Sequence, residues 1–165
     1  MVQPDPAKPV PAGPSVSIQA EPFDAAREIA RITEDHAGRT GAVVTFAGLC
    51  RDEAGRLLAL ELEHYPGMAE AEIQRVADEA ASRWPLQAVR VIHRHGRVAP
   101  GDGIVLVVTA SSHRVAAFEA ASFLMDYLKT RAPFWKREHL VDGTVGGWVE
   151  ATQADDAAAD RWGGV

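Results

Sequence analysis

The sequence predicts an α+β fold: a single domain with a mixed, mostly antiparallel sheet flanked by helices. Three observations carry this reading. β-Branched or alternating apolar runs at 41–49, 57–64, 87–95 and 104–109 read as strands. Apolar spacings of three and four residues mark helices between them, in mixed order and without strict strand–helix repetition. Turn sequences at 52–56 (DEAGR) and 100–103 (PGDG) are short enough to join neighbouring strands.

Each element follows from its residues. Positions 1–14 hold five of the ten prolines and almost no bulky apolar side chain, so they are expected to form a disordered tail, with a single domain over 15–165. Ser15–Ala20 alternates weakly, as a short edge strand would. Asp24 suits the cap of a helix running to Ile32, with Ala25, Ile29 and Ile32 buried. Gly41–Leu49 and Leu57–His64 are expected to pair as a hairpin, strands 1 and 2 of the core sheet. Pro66-Gly67 stops the second strand, and an amphipathic helix over Ala69–Trp84 follows, with Ile73, Val76, Ala77, Ala80 and Trp84 inside and Pro85 closing it.

Gln87–His95 places Val89, Val91, His93 and His95 on one face and Arg90, Ile92 and Arg94 on the other. Ile104–Thr109 is nearly all apolar, the mark of a central strand buried on both sides. A long helix comes next, with an expected apolar stripe at Phe118, Ala121, Met125 and Leu128, ended by Ala132-Pro133. Residues 138–150 read as a loop-rich closing segment with two short strands, and 151–165 as a last helical turn ending at Trp162.

Composition narrows the function classes. The 165 residues carry 17 Lys and Arg against 23 Asp and Glu, a formal charge of −6, which argues against a general nucleic-acid binder. No apolar run approaches the roughly 20 residues needed to span a bilayer, and the N-terminus lacks the pattern of a secretory signal, so a cytoplasmic protein is expected. One cysteine, Cys50, excludes an internal disulfide and a multi-cysteine metal cage; following an apolar strand, it reads as a small hydrophobe. No phosphate loop, dinucleotide fingerprint, HExxH or GxSxG is present. His93 and His95 share a strand face with only His113 as a third candidate, a pattern read as structural, and no metal or cofactor is expected.

One stretch stands out against the acidic background. Lys129, Arg131, Lys136 and Arg137 fall within nine residues, split between a helix end and what reads as a rigid aromatic turn at Pro133–Trp135. Cations at a helix C-terminus complement its dipole. Four together repel one another unless an anion joins them, so an anion site is the better reading.

The run MDYLKTRAPFWKRE (125–138) and LEHYPGM (62–68), with VTFAG (44–48), VIHRHG (91–96) and PGD (100–102), resembles the large, catalytic subunit of molybdopterin synthases. The resemblance covers roughly residues 16–162 and implies an α/β-hammerhead type of fold. It implies a sulfurtransferase that takes sulfur from the C-terminal thiocarboxylate of a small ubiquitin-like partner subunit. The acceptor is cyclic pyranopterin monophosphate, and the product carries a dithiolene. It implies a homodimer within a heterotetramer. By the same comparison Lys129 and Lys136 match essential lysines, and Arg51, His113, Arg114, Arg137 and Glu138 match substrate-binding positions, His113 and Arg114 acting partly from the neighbouring subunit. In some members a lysine stands where this chain has Leu49, so no role is carried over there.

The chemistry of this set is coherent. Arginines suit a phosphate because a planar guanidinium bonds two oxygens at once. Phe134 and Met125 can supply a flat apolar wall for a pterin. Lys129, crowded by cations, is the candidate for proton transfer, and Lys136 for holding the pterin and stabilising developing charge. Two rivals use the same basic pocket: a non-catalytic anion- or nucleotide-binding module, and a scaffold that docks a ubiquitin-like tail.

Overall fold

The computed structural model of the chain describes residues 13–149 and 153–163. The elements are β1 (Ser15–Gln19), α1 (Ala25–Asp35), β2 (Ala42–Leu49), β3 (Leu57–His64), α2 (Met68–Arg83) and β4 (Leu86–Arg94). They continue with β5 (Gly96–Val98), β6 (Gly103–Ser111), α3 (Arg114–Thr130), β7 (Phe134–Leu140) and α4 (Gln153–Asp160). The expected leader falls almost wholly outside the described residues; at its edge the Pro14 carbonyl accepts a hydrogen bond from Gln74 Nε2 at 3.2 Å.

The strands form two sheets, in the orders β1-β4-β6-β2 and β5-β3-β7. β1 runs parallel to β4, and the other pairings are antiparallel. The expected hairpin of 41–49 with 57–64 is not formed. β2 pairs with β6, whereas β3 lies between β5 and β7 in the other sheet. The chain changes sheets between them. Cys50 N–H donates to the Asp102 carbonyl at 2.8 Å and its own carbonyl accepts from Gly101 N–H at 2.7 Å, fastening the end of β2 to the turn before β6. Asp52 Oδ1 then accepts from the backbone of Arg56 and Leu57 and turns the chain into β3. A turn sequence dictates that the chain reverses; it does not dictate which strand pairs with which.

The four-stranded sheet is covered on both faces, and the alternation along β4 decides what meets what. Val89 and Val91 point into the main core with Ile73, Val76, Ala77 and Ala80 of α2 and Phe123, Leu124 and Tyr127 of α3. Ala88 and Ile92 point the other way, onto Ile32 of α1, with Ala25 and Ile29 packed alongside. Asp24 caps α1 through the N–H of Arg27, as its residue type predicts. β6 is the central strand, with Leu106, Val107, Val108 and Ala110 fully buried. Gly41 enters β2 where the backbone passes so close to α3's approach that a Cβ would collide with the Ser112 carbonyl oxygen.

α3 departs from its expected stripe. Phe118 is 61% exposed, and the buried face comprises Ala116, Ala117, Ala120, Ala121, Phe123, Leu124, Tyr127 and Leu128. The helix is enclosed on more than one side: its alanines approach the sheet, and Phe123 meets Trp84 and Trp162 edge-on at 5.3 and 5.6 Å. A single 3-4 stripe assumes one buried face, and this helix has a broader one. The aromatic turn expected at 133–135 is instead the start of β7, so Lys136 and Arg137 sit on a strand. Beyond Leu140 the closing segment forms no further strand among the described residues, only isolated bridges of Val145 to His139 and Val149 to Lys136.

Candidate active site

Where the two sheets meet, a cavity of about 590 Å³ opens. Phe46, Gly48 and Leu49 of β2 and Ile104 and Val105 of β6 bring one sheet to it; Leu60 and Leu62 of β3 bring the other. The last turn of α3 adds Met125, Leu128, Lys129 and Thr130. The chain then runs along the wall through Arg131 and Pro133 into Phe134, Trp135 and Lys136 of β7. Three cationic side chains thus share one cavity, and among the described residues no Asp or Glu side chain lines it. Such a surface favours an anion, and its apolar remainder (Phe46, Leu60, Leu62, Met125, Phe134) favours a flat ring.

Strand alternation sorts the three neighbours at 136–138. Lys136 stands opposite Leu62 and lines the cavity, whereas Glu138, opposite Leu60, shares that face of β7 one step along and is not among the lining residues. Arg137 stands opposite Glu61 and takes the other face. There its Nε donates to Glu61 Oε2 at 2.8 Å while its guanidinium lies 4.3 Å over the Trp148 ring. His139 Nε2 bonds the same carboxylate oxygen at 2.5 Å. These two hydrogen bonds hold the Glu61 carboxyl down at about 2. Arg137 is thereby engaged in joining β7 to β3.

The remaining expected residues lie elsewhere. Arg51 follows the lining Leu49 by two positions, is exposed, and pairs with Glu53. His113 is the N-cap of α3 and Arg114 its first residue, whereas Lys129 is in its last turn. At 1.5 Å per residue that separation is roughly 20–25 Å, too long for one small ligand to bridge within the chain. Cys50 is buried with Leu62 and Val98, and burial pushes its thiol up from the ordinary value, which leaves it inert. Two cavity groups go beyond the residues expected from the sequence. Arg131 lines the cavity beside the lysines, and His93, whose pattern in the sequence is that of a structural histidine, shares with Val91 the side of the sheet that bears α3 and lines the cavity too.

Taken together, a two-sheet α+β domain with amines and a guanidinium around a carboxylate-free cavity defines a site suited to an anion. Residues 18–131 match the family model described as MoaE protein, and the chain belongs to that family. It is 67% identical over 149 residues to the molybdopterin synthase catalytic subunit of Mesorhizobium japonicum, covering 90% of this chain and 93% of that one. To the Escherichia coli K12 protein of the same name it is 49% identical over 149 residues, covering 89% and 97%. Among solved structures, the molybdopterin biosynthesis MoaE protein of Burkholderia ambifaria superposes with a TM-score of 0.78 at 45% identity, over 92% of this chain and 99% of that one. Molybdopterin synthase of Staphylococcus aureus gives 0.70 at 29% identity, over 80% and 94%.

Proposed function

We propose that this chain is the catalytic subunit of a molybdopterin synthase, a cytoplasmic sulfurtransferase. It moves sulfur from the thiocarboxylate terminus of a small ubiquitin-like subunit onto cyclic pyranopterin monophosphate to build a dithiolene. The observation that carries this reading is the pairing of Lys129 and Lys136 on a cavity without carboxylates, in a chain of this family. The cavity suits both reactants. Its cations attract the substrate phosphate and the partner's anionic tail, and Phe134 and Met125 offer apolar surface to the pterin.

Within it the side chains divide the work. Lys129, at the helix end, exchanges protons with the reacting groups as sulfur is delivered. Lys136 holds the pterin and stabilises the charge that develops as the cyclic phosphate opens. Each sulfur lost from the donor leaves a carboxylate, with water supplying the oxygen. Arg51 contributes at the phosphate end once its ion pair with Glu53 opens, and Glu138 contributes from beside the cavity, on the face of β7 that bears Lys136. Arg137 assists by holding that strand in place. His113 and Arg114, a helix length away, serve the cavity of a second copy in a homodimer.

Purified chain, thiocarboxylated small subunit and cyclic pyranopterin monophosphate should yield molybdopterin in a single turnover. Binding of both without product would reduce the protein to one of the two non-catalytic rivals. Mixing two inactive variants, His113→Ala and Lys129→Ala, should restore part of the activity through hybrid dimers; no restoration would remove His113 from a shared site.

A further inference from the structure

The charged side chains of the cavity described above are all hydrogen-bond donors. Lys129, Arg131 and Lys136 can only donate, and the Thr130 hydroxyl on the wall gives its proton to the Asp126 carbonyl at 3.0 Å, which leaves its oxygen able only to accept. A pterin ring, however, presents N–H groups as well as acceptors. On the cavity wall one side-chain nitrogen is built to receive them.

His93, at the end of β4, lies face to face with Phe134, ring centroids 3.8 Å apart and planes 19° from parallel. Phe134 in turn stacks on His64 at 5.8 Å. The imidazole plane is therefore fixed by packing. Its Nδ1 is 2.8 Å from the Arg94 carbonyl, an acceptor only, so Nδ1 carries the proton and Nε2 holds a lone pair. Among the described residues nothing donates to that Nε2. Burial keeps the ring neutral, with its pKa lowered to about 4, so the lone pair persists throughout the physiological range.

Resting on the functional reading above, we infer that His93 is a substrate-positioning residue whose Nε2 accepts a hydrogen bond from a ring N–H of the pterin. Its tautomer is set by Arg94 and its plane by Phe134. It gives the cavity a means of orienting the heterocycle that charge attraction lacks, because cations alone hold the phosphate without fixing which edge of the ring faces β4.

The test uses the assembled enzyme with cyclic pyranopterin monophosphate. His93→Phe keeps an aromatic ring against Phe134 and removes the acceptor; His93→Gln restores one. The Phe variant should bind substrate about 10- to 100-fold more weakly, with the loss in KM more than in kcat. Its small-subunit affinity and neutral-pH melting temperature should stay close to wild type, and Gln should recover part of the loss. Substrate affinity within twofold of wild type in the Phe variant overturns the inference. Wild type carries an independent readout in histidine-labelled protein: the ¹⁵N resonance of the unprotonated His93 Nε2 should move upfield on adding substrate, and a stationary resonance overturns it whether or not the variants fold. A wild-type enzyme that fails to bind the substrate defeats the functional reading and this inference with it. Normal wild-type turnover with an indifferent His93 defeats the inference alone.

Discussion

The burial of His93 makes a sharp prediction about stability. Its pKa falls from an ordinary 6.5 in the unfolded chain to about 4 in the fold, chiefly because the imidazolium would lose its hydration. The unfolded state therefore binds this proton more tightly than the folded one. The stabilising contribution is complete above 6.5 and is lost as pH falls toward 4. Integrating the two titrations between about pH 7.5 and about pH 5 gives a loss of about 2 kcal/mol from this side chain, or about 4–8 °C in melting temperature for a protein of this size. The carboxyls lowered by their partners, Glu61, Glu70, Glu72 and Asp142, lose their contributions only below about 4.5, so this window separates His93 from them, and the difference between wild type and His93→Phe reads this ring alone. Urea unfolding of wild type and His93→Phe across the window is the assay. Wild type should lose about 2 kcal/mol more than the variant; parallel curves would mean that the ring is hydrated or charged in the fold and the reasoning fails.

Three further outcomes follow from the geometry. Lys129→Arg should retain fold and small-subunit affinity yet abolish single-turnover sulfur transfer, because a guanidinium does not release its proton, whereas Lys136→Arg should keep measurable activity if charge is its contribution; a Lys129→Arg enzyme near the wild-type rate would leave Lys129 with anion binding only. Arg51→Ala should weaken substrate binding by about 1.5–3 kcal/mol in calorimetry without affecting partner docking, and the reverse pattern would move Arg51 to the partner interface. Phe123→Ala removes a fully buried ring that touches Trp84, Tyr127 and Trp162, and should cost about 3–5 kcal/mol, roughly 10 °C or more in a tryptophan-monitored melt; a fall under about 3 °C would show that the aromatic cluster collapses to fill the gap.

Local patterns were legible in the sequence wherever one residue's surroundings lie within a few positions. Asp24 as a cap, the Ile73–Ala80 face of α2 and the two-sided burial of 104–109 all belong to that class. Pairing was not legible. Nothing in residues 50–57 says that Cys50 will bond the backbone at 101–102 and send β3 into a different sheet. The Phe134–Leu140 strand was hidden by the proline just before it and by its charges, since its strand character comes from β3 on one side and the closing segment on the other. The cationic residues of the site were visible as a cluster, but proximity in sequence overstated their proximity in space: alternation turns Arg137 away from Lys136, and α3 holds His113 far from Lys129.

The two partners of β7 also give the site lysine a clock of its own. Lys136 N–H donates to Val149 at 3.1 Å and Lys136 accepts from Val149 N–H at 2.8 Å, while Gly146 N–H bonds the Glu138 carbonyl at 2.9 Å. Neighbouring positions on an antiparallel strand direct their amides to opposite edges, so Arg137 faces β3 where Lys136 faces the exposed closing segment. Amide hydrogen exchange along this one strand should therefore alternate. The proton at Lys136 should be lost whenever residues 144–149 peel away, and that at Arg137 only when the sheet itself opens. Anything that tightens or loosens the chain near Val149 is thus felt first, through the main chain, by one of the cavity's two lysines.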